Sequence, residues 1–297
     1  MPREILPGRT YLVTRRCTQR QFLLTPSRRT NQLIRYCLAD AARHTGVLIH
    51  RVCVMSNHWH GVVTDPEARL PEFLERFHRL LARALNASLG RWENFWSSDK
   101  PSVVLLVSDE DVLDKMAYVT ANPTAAGLVR SPEEWPGVIS HRLEEAITVQ
   151  RPDFFFDPDG TMPAELTFKV VRPPIYSHLK TSTLERHLQQ AVLHKVRHAH
   201  ESLRRHARRF VGAEAIRQQR IDATPKSTEI RRNPSPRIAA RHAPARIHAI
   251  QNLLDFVRRY RAAWHAWRNG ARLTTFPAGT YALRVHARVA CELACAA

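Results

Sequence analysis

Two short segments of the chain carry side chains whose types and spacing could perform chemistry on a phosphate. One spans residues 56–60 and holds His58 and His60 around Trp59; the other spans residues 115–123 and holds a tyrosine. If Trp59 lies in mid-strand, the two imidazoles point to the same face, because strand side chains alternate. Such a pair can share one divalent cation. By itself the pair is a weak signal, since the chain has 16 histidines, and a purely structural role is the commoner outcome.

The second segment is predicted to be helical, and the helical period separates its apolar side chains from its polar ones. Tyr118 falls opposite the apolar stripe, where a core tyrosine would not lie. It stands four residues before Asn122 and three after Lys115, so the three side chains are neighbours on one face. A half-exposed surface tyrosine without a catalytic role would show the same pattern. The stripe consists of Val112, Met116 and Val119.

Together the two segments predict a phosphoryl-transfer site. A tyrosine hydroxyl can attack a phosphodiester and keep the DNA end as a phosphotyrosine. A divalent cation would polarise the phosphoryl oxygen, with His58, His60 and the carbonyl oxygen of Asn122 as protein ligands. Water and phosphate oxygens would complete an octahedron of the Mg²⁺ or Mn²⁺ kind. Lys115 could steady the phosphate or the phenolate.

The elements that must position these residues follow the order β-α-β-β-α-β-α. Strands are predicted over residues 9–18, 47–55, 58–64 and 103–107, and Gly46 and Gly90 are predicted to stop the first two helices. Ser108 and Asp111 resemble a capping box for the third helix, which we expect to end by Asn122 because proline follows. The first six elements match the split β-α-β, or ferredoxin-like, antiparallel sheet. The fold class is therefore α+β, with an added tyrosine-bearing helix.

The chain divides by charge. Residues 1–150 hold 19 Lys+Arg against 16 Asp+Glu, a net charge of +3, whereas residues 151–297 hold 26 against 11, a net of +15. We expect a nuclease domain over 1–145 and a basic, mainly helical extension over 146–297, with a poorly ordered linker near 220–246. Residues 151–174 are predicted to be irregular. The excess positive charge favours a polyanionic partner.

Within the extension, one long helix is predicted to start at a capping box formed by Ser182 and Glu185, and a second to stop at Gly270. The basic side of the first helix holds the best phosphate-contact candidates outside the site, namely Arg204, Arg205 and Arg208. Arg15 and Arg16 lie on opposite faces of the first strand if it is regular, so one of them could reach a DNA phosphate. A solvated strand end would account for them equally well.

Other features restrict the class of protein. Five scattered cysteines without a CxxC motif favour a reducing compartment and disfavour a disulfide framework or a zinc knuckle. No apolar run approaches a membrane span, and no secretion signal is visible. We therefore expect a cytoplasmic protein without a membrane partner, associated with the nucleoid when bound to DNA.

The two segments resemble those of the single-tyrosine HUH endonucleases, and more narrowly the REP-associated tyrosine transposases. Residues 55–60 resemble the Met-x-Asn-His-x-His segment of that family. The helix fits its Tyr-x-x-x-Asn-Pro-x-x-Ala-Gly-Leu-Val segment, through Tyr118, Asn122, Pro123, Ala126, Gly127, Leu128 and Val129. The match covers roughly residues 8–143.

The resemblance implies a ferredoxin-like, metal-dependent endonuclease and strand transferase. Family members cleave and rejoin single-stranded DNA beside hairpins through a 5′-phosphotyrosine, leaving a free 3′-OH. The family holds its metal with the histidine pair and the residue four after the tyrosine, here His58, His60 and Asn122, and its nucleophile corresponds to Tyr118. The alternative is a domesticated module that binds hairpin DNA or RNA without cutting. The sequence leaves open whether the protein is a monomer or a homodimer that exchanges the tyrosine helix.

Overall fold

The computed structural model describes residues 2–157, 159–226 and 236–294, which form an α+β structure around one mixed sheet. Its strands in chain order are β1 (Arg9–Arg16), β2 (Leu48–Met55), β3 (His58–Asp65), β4 (Ser102–Leu106), β5 (Ala146–Gln150), β6 (Glu165–Lys169) and β7 (Ile238–Ala239). The main sheet has the order β2-β3-β1-β4-β7. The first four of these strands pair antiparallel, and β7 adds to β4 in parallel. The strands β5 and β6 form a separate hairpin.

The α-helices of the described residues fall into both halves of the chain. They are α1 (Arg28–Thr45), α2 (Leu70–Ser88), α3 (Asp109–Ala125), α4 (Thr181–Arg205), α5 (Ala213–Arg217), α6 (Ala243–Arg268) and α7 (Ala282–Ala287). The predicted order β-α-β-β-α-β-α therefore describes the chain from β1 to α3. Among the described residues no helix is both long and apolar enough to cross a bilayer.

Two apolar layers cover the two faces of the sheet. The layer on one face joins side chains of α1 and α2 to the β5–β6 hairpin, and its largest buried side chain is Trp59. The layer on the other face joins α3 and α4 to residues such as Cys53, Met55 and Val62. Because strand side chains alternate, the neighbours of Trp59 in β3 must face α3 instead.

Helix α3 begins as the sequence predicts but ends later. The Ser108 side chain accepts from the backbone N–H of Asp111, and the Asp111 carboxylate accepts from the backbone N–H of Ser108, which completes a capping box. The expected end at Asn122 is wrong, because the helix runs through Pro123 to Ala125. The fixed φ of proline suits a helix, and the Asn122 carbonyl still accepts from the N–H of Ala126.

The second half departs from its predictions in several places. Residues 151–174 are predicted to be irregular, yet they contain β6, which the short apolar alternation of Leu166 and Phe168 produces. The capping box at Ser182 is wrong, since Lys180 is the N-cap of α4 and no side chain caps it. The described parts of the predicted linker hold β7 and the start of α6 at Ala243, and residues 227–235 lie outside the described residues.

The predicted boundary at residue 145 is not a break in packing. The hairpin that follows it contributes Val149, Leu166 and Phe168 to the α1–α2 layer. Helix α4 contributes Leu184 and Leu188 to the α3 layer. Described cysteines 17, 37, 53 and 291 carry free thiols, and Cys295 lies outside the described residues.

Candidate active site

Strand pairing places the histidine pair beside two residues of β1. In the antiparallel register of β1 and β3, Arg16 lies opposite His58 and Thr14 lies opposite His60. Directly opposed residues share a face of the sheet, so all four side chains point towards α3. The intervening pair, Arg15 and Trp59, points into the α1–α2 layer. The predicted shared face of the two histidines is therefore observed.

The two imidazole rings lie close enough to bind one ion. Their centroids are 4.7 Å apart and the ring planes are nearly perpendicular, at 87°. His60 is 6% exposed, whereas His58 is half-buried. The pair thus lies on the sheet face towards α3, and we call this part of the face the recess.

A polar neighbour holds the Nδ1 atom of each imidazole. The Nδ1 of His58 lies 2.6 Å from the Asn57 amide oxygen Oδ1, which can only accept, so this nitrogen is the donor. The Nδ1 of His60 lies 2.8 Å from the Thr14 hydroxyl. With both Nδ1 atoms engaged, the Nε2 atoms are left as potential metal ligands, which is the usual division of roles in metal-binding histidines.

Both imidazoles are held in the neutral form that binds metals. Burial lowers the pKa of His58 to about 4, and the positive charges of Arg16 and Arg20 act in the same direction. Burial also holds the pKa of His60 well below its ordinary value, with smaller contributions from His58 and Arg16. Neutral imidazole is the ligating species, so no proton has to leave before a cation can bind.

Helix α3 brings Tyr118 and Asn122 over this recess. The ring of Tyr118 lies 5.4 Å from that of His60, centroid to centroid, in an edge-on arrangement. Tyr118 is 36% exposed, while Val112, Met116 and Val119 on the opposite side of the helix are buried. The prediction that Tyr118 lies opposite the apolar stripe of the helix is confirmed. The structure thus brings residues of β3 and α3 together at one place.

The environment of the Tyr118 hydroxyl shifts its pKa in two opposite directions. Burial raises the pKa of Tyr118, and this effect is the largest. A hydrogen bond with the Asn122 side chain and the positive charges of Lys115 and Arg16 lower the pKa of Tyr118. The hydroxyl is therefore protonated at rest, with groups around it that favour the phenolate.

Lys115 is held beside Tyr118 by the Asp114 carboxylate, which also forms an ion pair with a lysine of α4. The Lys115 Nζ lies 6.0 Å from the centroid of the Tyr118 ring and 2.9 Å from Asp114. The other oxygen of Asp114 accepts from Lys195 of α4, at 2.7 Å. Lys195 was not among the residues that the sequence singled out, because nothing in its spacing links it to α3.

The structure separates the two predicted strand arginines. Arg16 shares the face of the histidines. The Arg15 guanidinium instead contacts His78 at 3.0 Å and lies over the ring of Trp96, at 5.5 Å from its centroid. The Arg15 side chain thus packs against α2 rather than beside the histidines, and its contact with DNA stays a prediction.

The arginines at the end of α4 belong to a different part of the surface. Arg204 and Arg205 form the last turn of α4, and Arg208 follows it. Arg204 and Arg208 line a groove with the segment that follows α3. The structure does not bring these arginines to the histidine pair.

The available donors fit a divalent cation with few protein ligands. Among the described residues, no group of three or more His, Cys, Asp and Glu side chains is close enough to hold a metal ion. Asn122, whose side chain hydrogen-bonds Tyr118, is the candidate third donor beside the two imidazoles. Two neutral imidazoles and one amide oxygen leave positions for phosphate and water oxygens, which Mg²⁺ and Mn²⁺ prefer.

Two of the distant structural neighbours found by comparison with solved structures are described as transposases. One is a REP-associated tyrosine transposase solved bound to a REP hairpin. Its sequence is 22% identical, the match covers 46% of this chain and 79% of that chain, and the TM-score is 0.37. The other is a candidate transposase of Deinococcus radiodurans R1. Its sequence is 16% identical, the match covers 40% of this chain and 94% of that chain, and the TM-score is 0.28. No family model and no curated protein matches the chain.

Two residues that orient the imidazoles are not among the predicted site residues. Asn57 directly precedes His58, and this adjacency is the sequence signal for its role. Thr14 had no such signal, because its approach to His60 depends on the register between β1 and β3.

Proposed function

We propose that the protein is a metal-dependent tyrosine endonuclease and strand transferase of the single-tyrosine HUH type. The observation that carries this proposal is the convergence of His58, His60, Tyr118 and Asn122 at one recess, from a strand and a helix far apart in sequence. The strand order and antiparallel pairing of β1 to β4 support a ferredoxin-like core for this site.

The proposed chemistry is an in-line displacement at phosphorus. The Tyr118 oxygen forms a bond to phosphorus, and the bond from phosphorus to the 3′ oxygen breaks, which leaves a 5′-phosphotyrosine and a 3′-OH. The proton lost by the phenol balances the proton gained by the 3′ oxygen. Rejoining is the same displacement in reverse, with a 3′-OH as the nucleophile.

Each side chain of the recess has a defined task in this scheme. His58, His60 and Asn122 would hold a Mg²⁺ or Mn²⁺ ion, which supplies charge to the phosphoryl oxygens when bound. Asn57 and Thr14 keep the two imidazoles oriented. Lys115 and Arg16 favour the phenolate and offer positive charge to the phosphate. Asp114 and Lys195 keep Lys115 in place.

The proposed substrate is single-stranded DNA beside a hairpin, in a cytoplasmic, nucleoid-associated setting. The resemblance of the two motifs and the positive charge of the second half support this substrate.

Replacing Tyr118 by phenylalanine tests the nucleophile. Wild type, Tyr118→Phe and the control Tyr260→Phe, which alters a half-buried tyrosine on α6, are each incubated with labelled hairpin-bearing single-stranded DNA and Mn²⁺ or Mg²⁺. We expect a denaturant-resistant protein–DNA band for wild type and the control, and none for Tyr118→Phe or with EDTA. An adduct that survives in Tyr118→Phe would reject the proposal. Retained DNA binding without any adduct would favour the non-catalytic binding module.

A further inference from the structure

A basic groove lies at the end of α4, away from the histidine pair. Its volume is about 580 Å³. The segment after α3 contributes Arg130, and the end of α4 with the residues that follow contributes Arg204, Arg208, Arg209 and Phe210. The groove thus lies between the segment that follows α3 and the end of α4.

The groove carries positive charge that the described residues do not neutralise. The four guanidinium groups are exposed, and none forms an ion pair with a carboxylate of the described chain. One carboxylate lines the groove, that of Glu134, and it accepts from the backbone N–H of Arg130. Unpaired, exposed guanidinium groups in a concave surface are suited to successive phosphates.

Backbone contacts fix the groove to the end of α3. The N–H groups of Val211 and Gly212 donate to the carbonyls of Gly127 and Leu128, at 3.1 and 2.8 Å. Gly127 has a φ of +74°, and a Cβ there would lie 3.2 Å from the Leu203 side chain, so the close approach favours glycine. At 1.5 Å per residue, the end of α3 is about 10 Å along the helix axis from Tyr118.

An aromatic pair lies among the arginines. The ring of Phe210 is half-buried and lies 5.0 Å from that of His200, at an angle of 56°. The His200 Nε2 donates to the carbonyl of Arg130 at 2.7 Å, which holds the imidazole in place. An aromatic ring beside phosphate-binding arginines is the combination by which proteins bind unpaired nucleotides.

We propose that this groove binds an unpaired segment of single-stranded DNA, with its phosphates on Arg204 and Arg208 and a base against Phe210. This inference rests on the proposed nuclease function and adds to it the path of the strand beyond the cleavage site. The groove is tied to the helix that carries Tyr118, so a strand held there is positioned relative to the nucleophile.

The salt dependence of DNA binding tests the phosphate contacts. We measure the anisotropy of a labelled oligothymidylate of about 20 nucleotides over a range of salt, in the Tyr118→Phe background so that cleavage does not interfere. The double variant Arg204→Gln/Arg208→Gln removes two charges from the groove. The matched control Arg186→Gln/Arg261→Gln removes two exposed charges elsewhere, from the start of α4 and from α6.

The groove variant is expected to lose about 1.4 from the slope of log K against log salt, since each single-strand phosphate contact contributes about 0.7. If the groove variant and wild type bind equally at about 1 M salt, the same relation makes the variant bind about 25-fold more weakly at about 0.1 M salt. A separate Phe210→Ala variant should weaken binding at least about fivefold with an unchanged slope, because it removes stacking and no charge. The control should keep the wild-type slope.

Several results would overturn the inference. The inference is overturned if the groove variant keeps the wild-type slope of log K against log salt. It is also overturned if the control variant loses as much slope as the groove variant. An RNA of matched sequence that binds the groove more tightly than the DNA would assign the groove to RNA. Because binding is measured without cleavage, failure of the covalent-adduct experiment would be seen separately from failure of the groove.

Discussion

At the scale of single residues, the candidate site depends on side chains that orient others. Two histidines become a usable ligand pair only when their rings are held with the same nitrogen outward. Asn57 and Thr14 provide this through their contacts with the two Nδ1 atoms. The Thr14 hydroxyl is also an uncharged group, so it fixes His60 without changing the charge of the recess.

Thr14→Val is expected to weaken divalent-cation binding by about 10- to 100-fold, because residues that orient a ligating imidazole typically contribute that much. Calorimetric titration with Mn²⁺ measures the effect. Thr10→Val is the matched control, since Thr10 lies on the same strand and its hydroxyl pairs with Thr64 instead. Equal Mn²⁺ affinity in the two variants would show that Thr14 does not position His60 for a metal.

At the scale of elements, α3 is the helix on which the site depends, and contacts with neighbouring elements hold its N-terminal half. The capping box closes its first turn, and the Asp111 carboxylate also accepts from the N–H of Arg241 at 2.7 Å, just before α6. Helix α4 packs along α3 and reaches it through Lys195 and Asp114. The Glu185 carboxylate of α4 lies 3.8 Å from the buried guanidinium of Arg51 on β2.

Ser108→Ala is expected to lower the free energy of unfolding by about 1 kcal/mol, within the usual range of about 0.5–2 kcal/mol for a lost N-cap. Ser182→Ala is the matched control, because Ser182 lies in the first turn of α4 and makes no cap there. Urea denaturation of both variants gives the comparison. A loss for Ser182→Ala as large as that for Ser108→Ala would contradict the assigned cap.

At the scale of the whole molecule, the structure buries several neutral histidines. Burial lowers the pKa of His50 to about 4, and its ring is fixed between the Val171 carbonyl and the Thr64 hydroxyl, each at 2.8 Å. Burial also lowers the pKa values of His58, His60 and His78. All four rings must gain a proton when the chain unfolds in mild acid.

The free energy of unfolding should therefore fall as the pH is lowered from about 6.5 to about 4, because the unfolded chain binds more protons in this window. His50 alone contributes a slope of about 1.4 kcal/mol per pH unit at most. Urea denaturation at a series of pH values measures the slope. His50→Gln should reduce it, whereas His286→Gln, at an exposed position on α7, should not. An unchanged slope in His50→Gln would contradict the assignment.

Local periodicity allowed the sequence to determine much of this protein. Alternation along a strand placed His58 and His60 on one face, and the helical period placed Tyr118 off the apolar stripe, because both depend only on neighbouring residues. The order of the first seven elements followed from the same patterns and from Gly46 and Ser108. The resemblance of the two motifs then predicted that the strand and the helix contribute to one site.

Only the tertiary structure decided what depends on contacts between distant segments. The register of β1 against β3 selected Thr14 and Arg16 and turned Arg15 away, and no pattern within β1 encodes that register. The packing of α4 on α3 brought Lys195 to Asp114 and created the basic groove. The hairpin of β5 and β6 was missed because such short strands are stabilised by packing, here on α1, which lies more than 100 residues earlier in the chain.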